Sequence, residues 1–379
     1  MTAAALSGFP WIGFALAAFA MVHGIVVCIV MRMRARSSRF ATDGLPPVTI
    51  LKPLCGAEAE TYECLRSFCD QAYPEYQVVF GVSDSNDPVL AIVYRLQREF
   101  PQRHLAVAID RRQHGSNRKV SNLINMMPLV RHEFLVLSDS DVRVERDYLA
   151  KVAAPLHDPG VGVVTCAYRG RPRQGLWSLL GSLFVNEWFM PSVRVAALAG
   201  SRSFAFGATI AIRRQVLANI GGFASIANQL ADDYRLGELT RRRGLRTVLS
   251  EVVVDVCVAE RSFADLVRHE LRWLRTIRAL RPVGYGFTFI TFGMPVAALG
   301  VLLTGGATPV VGMLAITALA RVMLHLSMRQ PGSSPWQLAV LPLRDTLNLV
   351  LWIWSFVTRH VHWREVRYFV TRDGSAQPV

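Results

Sequence analysis

Asp139 and Asp141 stand at i and i+2 directly after the apolar run Phe134–Leu137. Four apolar residues closed by Ser-Asp-Ser-Asp read as a buried strand and the loop at its carboxyl end. Open α/β sheets place their ligand crevice there. Two such carboxylates suit a hard divalent cation, because Mg²⁺ typically takes one or two carboxylates and completes its shell with substrate phosphates. A polar turn without a ligand explains this stretch equally well when it is taken alone, so the neighbouring motifs decide. Asp84 follows a second apolar run, Tyr76–Val82. Asp232 and Asp233 open a helical pattern that runs through Arg243. Carboxylates in a first helical turn are favoured by the helix dipole with or without chemistry. As adjacent like charges, however, one of the two is expected to have a raised pKa, which suits a general base. Arg272 and Trp273 lie in a basic helical stretch, Arg268 to Arg281, where Arg268, Arg272 and Arg275 share one face. That face reads either as a clamp for a diphosphate or as a surface turned toward lipid headgroups.

Together these groups define a reaction type. One carboxylate receives a nucleoside, an Asp-x-Asp holds a metal on a diphosphate, and a third carboxylate takes the proton of an attacking hydroxyl. An arginine neutralises the departing diphosphate through charge-assisted hydrogen bonds. The chemistry that needs all four is glycosyl transfer from a nucleotide diphosphate sugar.

The elements that must position them alternate. Pro46–Pro53, Tyr76–Val82 and Leu105–Ile109 read as strands, with helices over Glu60–Asp70 and Pro88–Phe100 between them. This β-α-β-α-β order predicts a parallel, Rossmann-like sheet. No GxGxxG is present, which argues against a dinucleotide dehydrogenase. Gly115–Lys119 is a basic turn before a helical stretch, Val120–Leu129. A helix N-terminus with Lys119 in its first turn can hold phosphate, although a solvated loop fits that turn as well. Further strands are expected at Gly162–Tyr168, ahead of Arg213, and at Val248–Val256.

Length and charge leave room for more than this domain. The 379 residues accommodate one domain of roughly 250 residues plus membrane segments. The net charge of +14 suits an anionic partner. No zinc-finger spacing, basic repeat or aromatic RNA-binding motif is present, so nucleic acid is the weakest candidate. The six cysteines form no CxxC pair and imply neither zinc nor disulfides. Gly8 to Met31 is a 24-residue run whose one ionisable residue is His23. At about 1.5 Å per residue it is long enough to cross a bilayer. Arg32, Arg34, Arg36 and Arg39 follow it, which argues against a signal peptide and puts the next segment in the cytoplasm. Residues 45–282 form the expected catalytic domain. Within it, about 175–200 and 262–281 are expected to lie in the membrane interface, although an ordinary core helix also fits the first of these. Val283–Thr304 and Thr308–Met328 read as further spans. Leu338–Val357 is marginal, because Arg344 and Asp345 would together cost about 5–7 kcal/mol at mid-bilayer. It either packs against protein with those two residues paired to each other, or dips in without crossing. A crossing there would place the basic tail, 358–379, outside, against the positive-inside rule.

The motifs LKPLCG (51–56), VSDSNDP (82–88), GSNRKVSNL (115–123), SDSDVRV (138–144), LADDYRLGEL (230–239) and HELRW (269–273) resemble those of a known family. Their order, with one span before and several after, is similar to that of inverting GT-A glycosyltransferases that modify membrane lipids. The closest are ceramide glucosyltransferases and the bacterial hopanoid biosynthesis-associated glycosyltransferases. CAYRGRP (166–172) and LADDY (230–234) resemble the latter. The resemblance implies an α/β, GT-A (Rossmann-like) domain with one N-terminal and two or three C-terminal transmembrane helices. It places Asp84 near the uracil, Lys119 and Asn122 near the donor, and Asp139 and Asp141 on Mg²⁺ or Mn²⁺. It makes Asp233 the base beside Asp232, where Glu is often found. Arg272 and Trp273 match the RW of (Q/R)xxRW, while His269 departs from the usual Gln or Arg. The implied reaction moves a hexose from a UDP-sugar to a membrane lipid hydroxyl, in a multi-pass protein of the bacterial inner membrane with its catalytic domain facing the cytoplasm. The implied acceptor is a hopanoid polyol with N-acetylglucosamine, or ceramide with glucose. A processive polysaccharide synthase is a rival, opposed by His269 and the short C-terminal region. A scaffold that kept the fold without the chemistry is another, opposed by the full set of carboxylates.

Overall fold

The computed structural model describes residues 10–33, 44–201, 203–329, 334–363, 366–371 and 374–378. Arg34, Arg36 and Arg39 of the basic cluster, and Arg364 and Arg372 of the tail, lie outside them. The chain divides into two compact units. One comprises Met1–Arg34, Gln174–Ala199 and Ala259–Asp373; the other comprises Ala35–Arg173, Gly200–Val258 and Gly374–Val379. The stretches expected to lie in the interface therefore group with the apolar helices rather than with the sheet.

The first helix, α1 (Pro10–Arg32), belongs to the apolar unit. The sheet unit begins with β1 (Val48–Leu54), α2 (Thr61–Cys69), β2 (Tyr76–Val82), α3 (Val89–Glu99) and β3 (His104–Ile109). There follow α4 (Arg118–Met126), β4 (Phe134–Leu137), β5 (Val142–Arg143), α5 (Tyr148–Ala153) and β6 (Val161–Pro172). The chain then enters the apolar unit as α6 (Leu176–Phe184), a π-helical turn over Val185–Phe189, and α7 (Met190–Leu198). It returns as β7 (Ile210–Arg213), α8 (Arg214–Asn219), α9 (Asp232–Arg242) and β8 (Arg246–Val258).

The eight strands form one sheet in the order β3-β2-β1-β4-β7-β6-β8-β5. The first four are parallel, as the alternating pattern predicts. The rest of the sheet is mixed: β7 runs antiparallel to β4 and β6, β5 runs antiparallel to β8, and β6 and β8 pair parallel. The βαβ pattern that specifies parallel pairing stops at β4. β2 is buried along its whole length, as a strand covered on both faces must be. Leu51, Val79, Leu135 and Ile212 pack with Val120, Leu123 and Met126 of α4 in one core. The chain turns from β1 toward β2 and β3 on one side, and resumes at β4 on the other. The carboxyl ends of β1 and β4 therefore form a topological switch point, the place where such sheets bind ligands.

The apolar unit continues with α10 (Phe263–Leu280), α11 (Pro282–Phe287), α12 (Gly293–Leu303), α13 (Thr308–Met328) and α14 (Leu341–Ser355), then the antiparallel pair β9 (His360–Trp363) and β10 (Val366–Val370). Among the described residues, α1 and α13 are long and apolar enough to cross a membrane. The span expected at Val283–Thr304 is broken: Pro282–Thr291 and Gly293–Leu303 meet at 74°. The break falls at Phe292, which leaves helical geometry at φ −84°, ψ 72°. Gly13 of α1 sits against Gly300 of α12, where an added Cβ would meet backbone oxygen at 2.8 Å. The two helices therefore approach along backbone rather than side chains.

The expected pairing of Arg344 with Asp345 is not formed. Arg344 is buried and donates to both carboxylate oxygens of Glu270, at 2.8 and 2.6 Å. Asp345 instead accepts from Arg321 Nε at 3.0 and 2.9 Å. Neighbours on a helix point about 100° apart, so each finds its partner on a different element. The helix that carries them has 15 residues, short of a bilayer's thickness at about 1.5 Å per residue.

Candidate active site

The loop after β4 carries Asp139 to the switch point. Asn117 caps α4 by accepting from Val120 N at 3.1 Å, which starts the helix at Arg118 and aims Lys119 across the crevice. Lys119 Nζ lies 2.6 Å from Asp139 Oδ1 and 3.3 Å from Asp232 Oδ2. In the first turn of α9, Asp233 accepts from its following backbone N–H, Tyr234, at 2.7 Å. Its other oxygen accepts from Gly207 N at 2.8 Å. A Cβ on Gly207 would stand 3.1 Å from Asp139 Oδ2, and 3.4 Å from both Asp233 Oδ2 and Lys119 Nζ. Glycine thus lets the backbone serve as the floor on which these charges meet.

The cluster sets its own protonation. Burial, and then the neighbouring Asp232 charge, push the Asp233 carboxyl up to about 6, while Lys119 pulls the other way. Burial works against the Lys119 ammonium, yet Asp139 and Asp232 override it and hold its pKa above the ordinary value. Beneath the loop, Lys52 of β1 is fully buried. Its Nζ donates to the Asp139 carbonyl and, at 3.4 Å, to Ser138 Oγ. It also lies 3.8 Å from the centre of the Phe68 ring. Burial brings the Lys52 ammonium down to about 8, against the pull of Cys64, Asp141 and Asp139.

The structure brings Lys119, Asp139, Asp232 and Asp233 together. Asp141 is exposed on the same loop, and its backbone carbonyl accepts from Cys257 N at 3.0 Å. Asp84 lies in the loop after β2, a strand two positions and about 10 Å from β4 in the sheet. Its carboxyl is held below the usual range by the Asn86 N–H and by Arg111, 2.7 Å away. Asn122 is buried and donates to Gly81 O at 2.8 Å. It ties α4 to β2 and thereby fixes Lys119, three residues earlier. Asp139 and Asp141 offer the hard oxygen donors that a divalent cation on a diphosphate takes. They fit such an ion.

His269, Arg272 and Trp273 belong to α10 of the apolar unit. His269 Nδ1 lies 2.5 Å from Glu260 Oε1. Trp273 packs edge-on to His269, at 5.0 Å between ring centres, and tilts against Phe184 and Phe189. Sequence reasoning did not find Lys52 or Gly207. A lysine inside the apolar run VTILKPL was the signal for Lys52. Nothing local marks Gly207, because its contacts come from residues far away in the chain.

Residues 12–376 match the model of glycosyl transferase family 21. Ceramide glucosyltransferase 3 of Caenorhabditis elegans is 24% identical over 248 residues, 63% of this chain and 52% of the relative. An N-acetylglucosaminyltransferase of Bradyrhizobium diazoefficiens is 24% identical over 243 residues, 61% of this chain and 49% of the relative. The chain thus spans about half the length of the curated relatives it matches. Among solved structures, the mannosyltransferase PcManGT of Pyrobaculum calidifontis, in complex with GDP-Man and Mn²⁺, superposes with a TM-score of 0.56 at 19% identity. That superposition covers 92% of this chain and 96% of the mannosyltransferase, and the shared fold is GT-A-like.

Proposed function

The chain belongs to glycosyl transferase family 21, and on that footing we propose that it moves a hexose from a UDP-sugar to a hydroxyl of a membrane lipid, with inversion. The observation that carries the reading is the meeting of Asp233 with Asp139, Asp232 and Lys119 over Gly207. A carboxyl near pH 6 is ionised at neutral pH yet basic enough to take a proton from an attacking hydroxyl. The Gly207 and Tyr234 N–H groups fix the orientation of that carboxylate. Lys119 braces Asp139 and Asp232 and keeps their charges from driving the base to a higher pKa.

Asp139 and Asp141 would hold Mg²⁺ or Mn²⁺ together with the donor diphosphate. Such an ion supplies charge neutralisation on the leaving group. Asp84 receives the uracil side of the donor. Arg272, in the RW motif, is assigned the departing diphosphate, with Trp273 and His269 supporting it. The catalytic unit faces the cytoplasm of a bacterial inner membrane in which the apolar helices are embedded.

The finer reading is N-acetylglucosamine transfer to a hopanoid polyol, supported by LADDY and CAYRGRP. A second reading, glucose transfer to ceramide, is favoured by the names of several relatives. The test is purified protein with UDP-glucose or UDP-N-acetylglucosamine against ceramide and a hopanoid polyol, read by mass spectrometry. Asp233→Asn should bind the UDP-sugar without turnover, and full activity in that variant would remove Asp233 as base. Chelation should stop transfer, and added Mg²⁺ or Mn²⁺ should restore it.

A further inference from the structure

The turn at residues 115–117 reads in the sequence as a solvated loop or the start of a phosphate site. In the structure its donors are taken up by protein. Ser116 N donates to Asn228 Oδ1 at 2.9 Å, and Asn117 N donates to the Ala227 carbonyl at 2.8 Å. The Asn117 side chain is fully buried and bonds in two directions. Its Oδ1 accepts from Val120 N at 3.1 Å, and its Nδ2 donates to the Gln229 carbonyl at 2.8 Å. Gly115 lets the two backbones close on each other. An added Cβ there would stand 2.5 Å from the Ala227 carbonyl oxygen and 2.7 Å from Asn228 Oδ1. The turn is thus shaped to receive residues 227–230.

Those residues lead directly into α9, whose first turn carries Asp232 and Asp233. α9 starts from Ala231, at φ −99°, ψ 69°. A methyl group cannot cap a helix, a task usually given to Ser, Thr, Asp or Asn. The entry of α9 is therefore set by what residues 227–230 are fastened to. Leu230 N donates to Gly374 O at 3.0 Å, which holds the far end of the loop but ties it to no charged group of the site. α4 and α9 meet again where Lys119 Nζ lies 3.3 Å from Asp232 Oδ2. That contact cannot fix their spacing, because an ammonium on a flexible four-carbon stem follows its partner. A short, buried amide with both ends engaged can.

We infer that Asn117 is a positioning residue: its amide clasps α4 to the loop entering α9, and so sets Asp233 relative to Lys119 and Asp139. The inference rests on the glycosyltransferase reading, in which Asp233 is the base, and assigns the group that holds this base in register.

The test separates the clasp from the cap. Asn117→Asp keeps the cap, since aspartate starts a helix as well as asparagine does, but its carboxylate has no N–H for Gln229. Asn117→Ser keeps the cap without added charge and is too short for the second bond, so it carries the test if the aspartate variant fails to fold. Gly115→Ala opens the same seam without touching the amide. In the full-length protein, in phosphatidylcholine nanodiscs with Mn²⁺, each change should lower kcat about 10- to 100-fold while the KM for the UDP-sugar stays within about threefold of the parent. Deuterium exchange of the peptide spanning residues 226–236 should rise about tenfold, with β1 and β2 unchanged. Calorimetric UDP binding within about threefold of the parent shows that a variant is folded. Parental kcat in a folded Asn117→Asp or Asn117→Ser overturns the inference and leaves the enzyme reading intact. A raised donor KM at unchanged kcat also overturns it, because the turn would then be holding the donor. A parent that moves no sugar from UDP-glucose or UDP-N-acetylglucosamine, but shows the exchange response in its variants, refutes the enzyme reading and keeps the clasp. Without either response, both fall.

Discussion

Gly207 donates its backbone N–H to Asp233 Oδ2 at 2.8 Å, joining the turn before β7 to the first turn of α9. A Cβ there would stand 3.1 Å from Asp139 Oδ2, closer than an ordinary contact, so a side chain would press on that carboxylate. Gly207→Ala is expected to lower kcat by about 10- to 100-fold, because small displacements of reacting groups are costly. The melting temperature should barely move. Unchanged kcat in a folded variant would show that the spacing of these groups is not critical.

Asp233 titrates near 6 and Lys52 near 8. The base must be ionised, and the buried ammonium must stay charged to support the loop that carries Asp139. Transfer should therefore follow a bell-shaped profile with limbs near pH 6 and pH 8. Lys52→Met should flatten the alkaline limb. A profile that keeps this limb would remove Lys52 from the account.

Lys119 holds the Asp233 pKa down against burial and Asp232. Removing that positive charge favours the protonated acid. In Lys119→Met the acid limb should accordingly move to higher pH, with a fall in rate at neutral pH. A shift toward lower pH would contradict the charge arrangement.

Linkage gives the same carboxylate a stability signature. Its folded pKa is raised, so its contribution is most favourable below the unfolded value and is lost as pH rises through about 6. Asp233→Asn should therefore stabilise the sheet unit at pH 8 by up to about 3 kcal/mol, and should do little near pH 4. Denaturation of the two proteins at both pH values measures the difference.

Arg344 and Glu270 form a buried pair. Arg344→Met leaves the Glu270 carboxylate buried without it and should cost about 3–5 kcal/mol. The double variant Arg344→Met, Glu270→Met should recover most of that loss. Thermal unfolding in detergent distinguishes this from an Arg344–Asp345 pair, for which the second change would bring no recovery.

The carboxylates, their order and the strands that carry them were legible in the chain itself. A strand buried on both faces is a continuous apolar run, and the polar residue that ends it announces a loop. β2, β4 and α13 were read to the residue from this local pattern. Sequence could not reveal the antiparallel insertion of β7 between β4 and β6, because pairing direction depends on the path the chain takes between strands. Nor could it choose the partner of Arg344, since a long side chain selects among all elements packed around it. The 74° break at Phe292 was likewise hidden in an uncharged run. Residue types and spacing thus determined the chemistry on offer. Tertiary packing alone decided that Gly207 and Lys52 complete the site, because burial and proximity across the chain have no local signature.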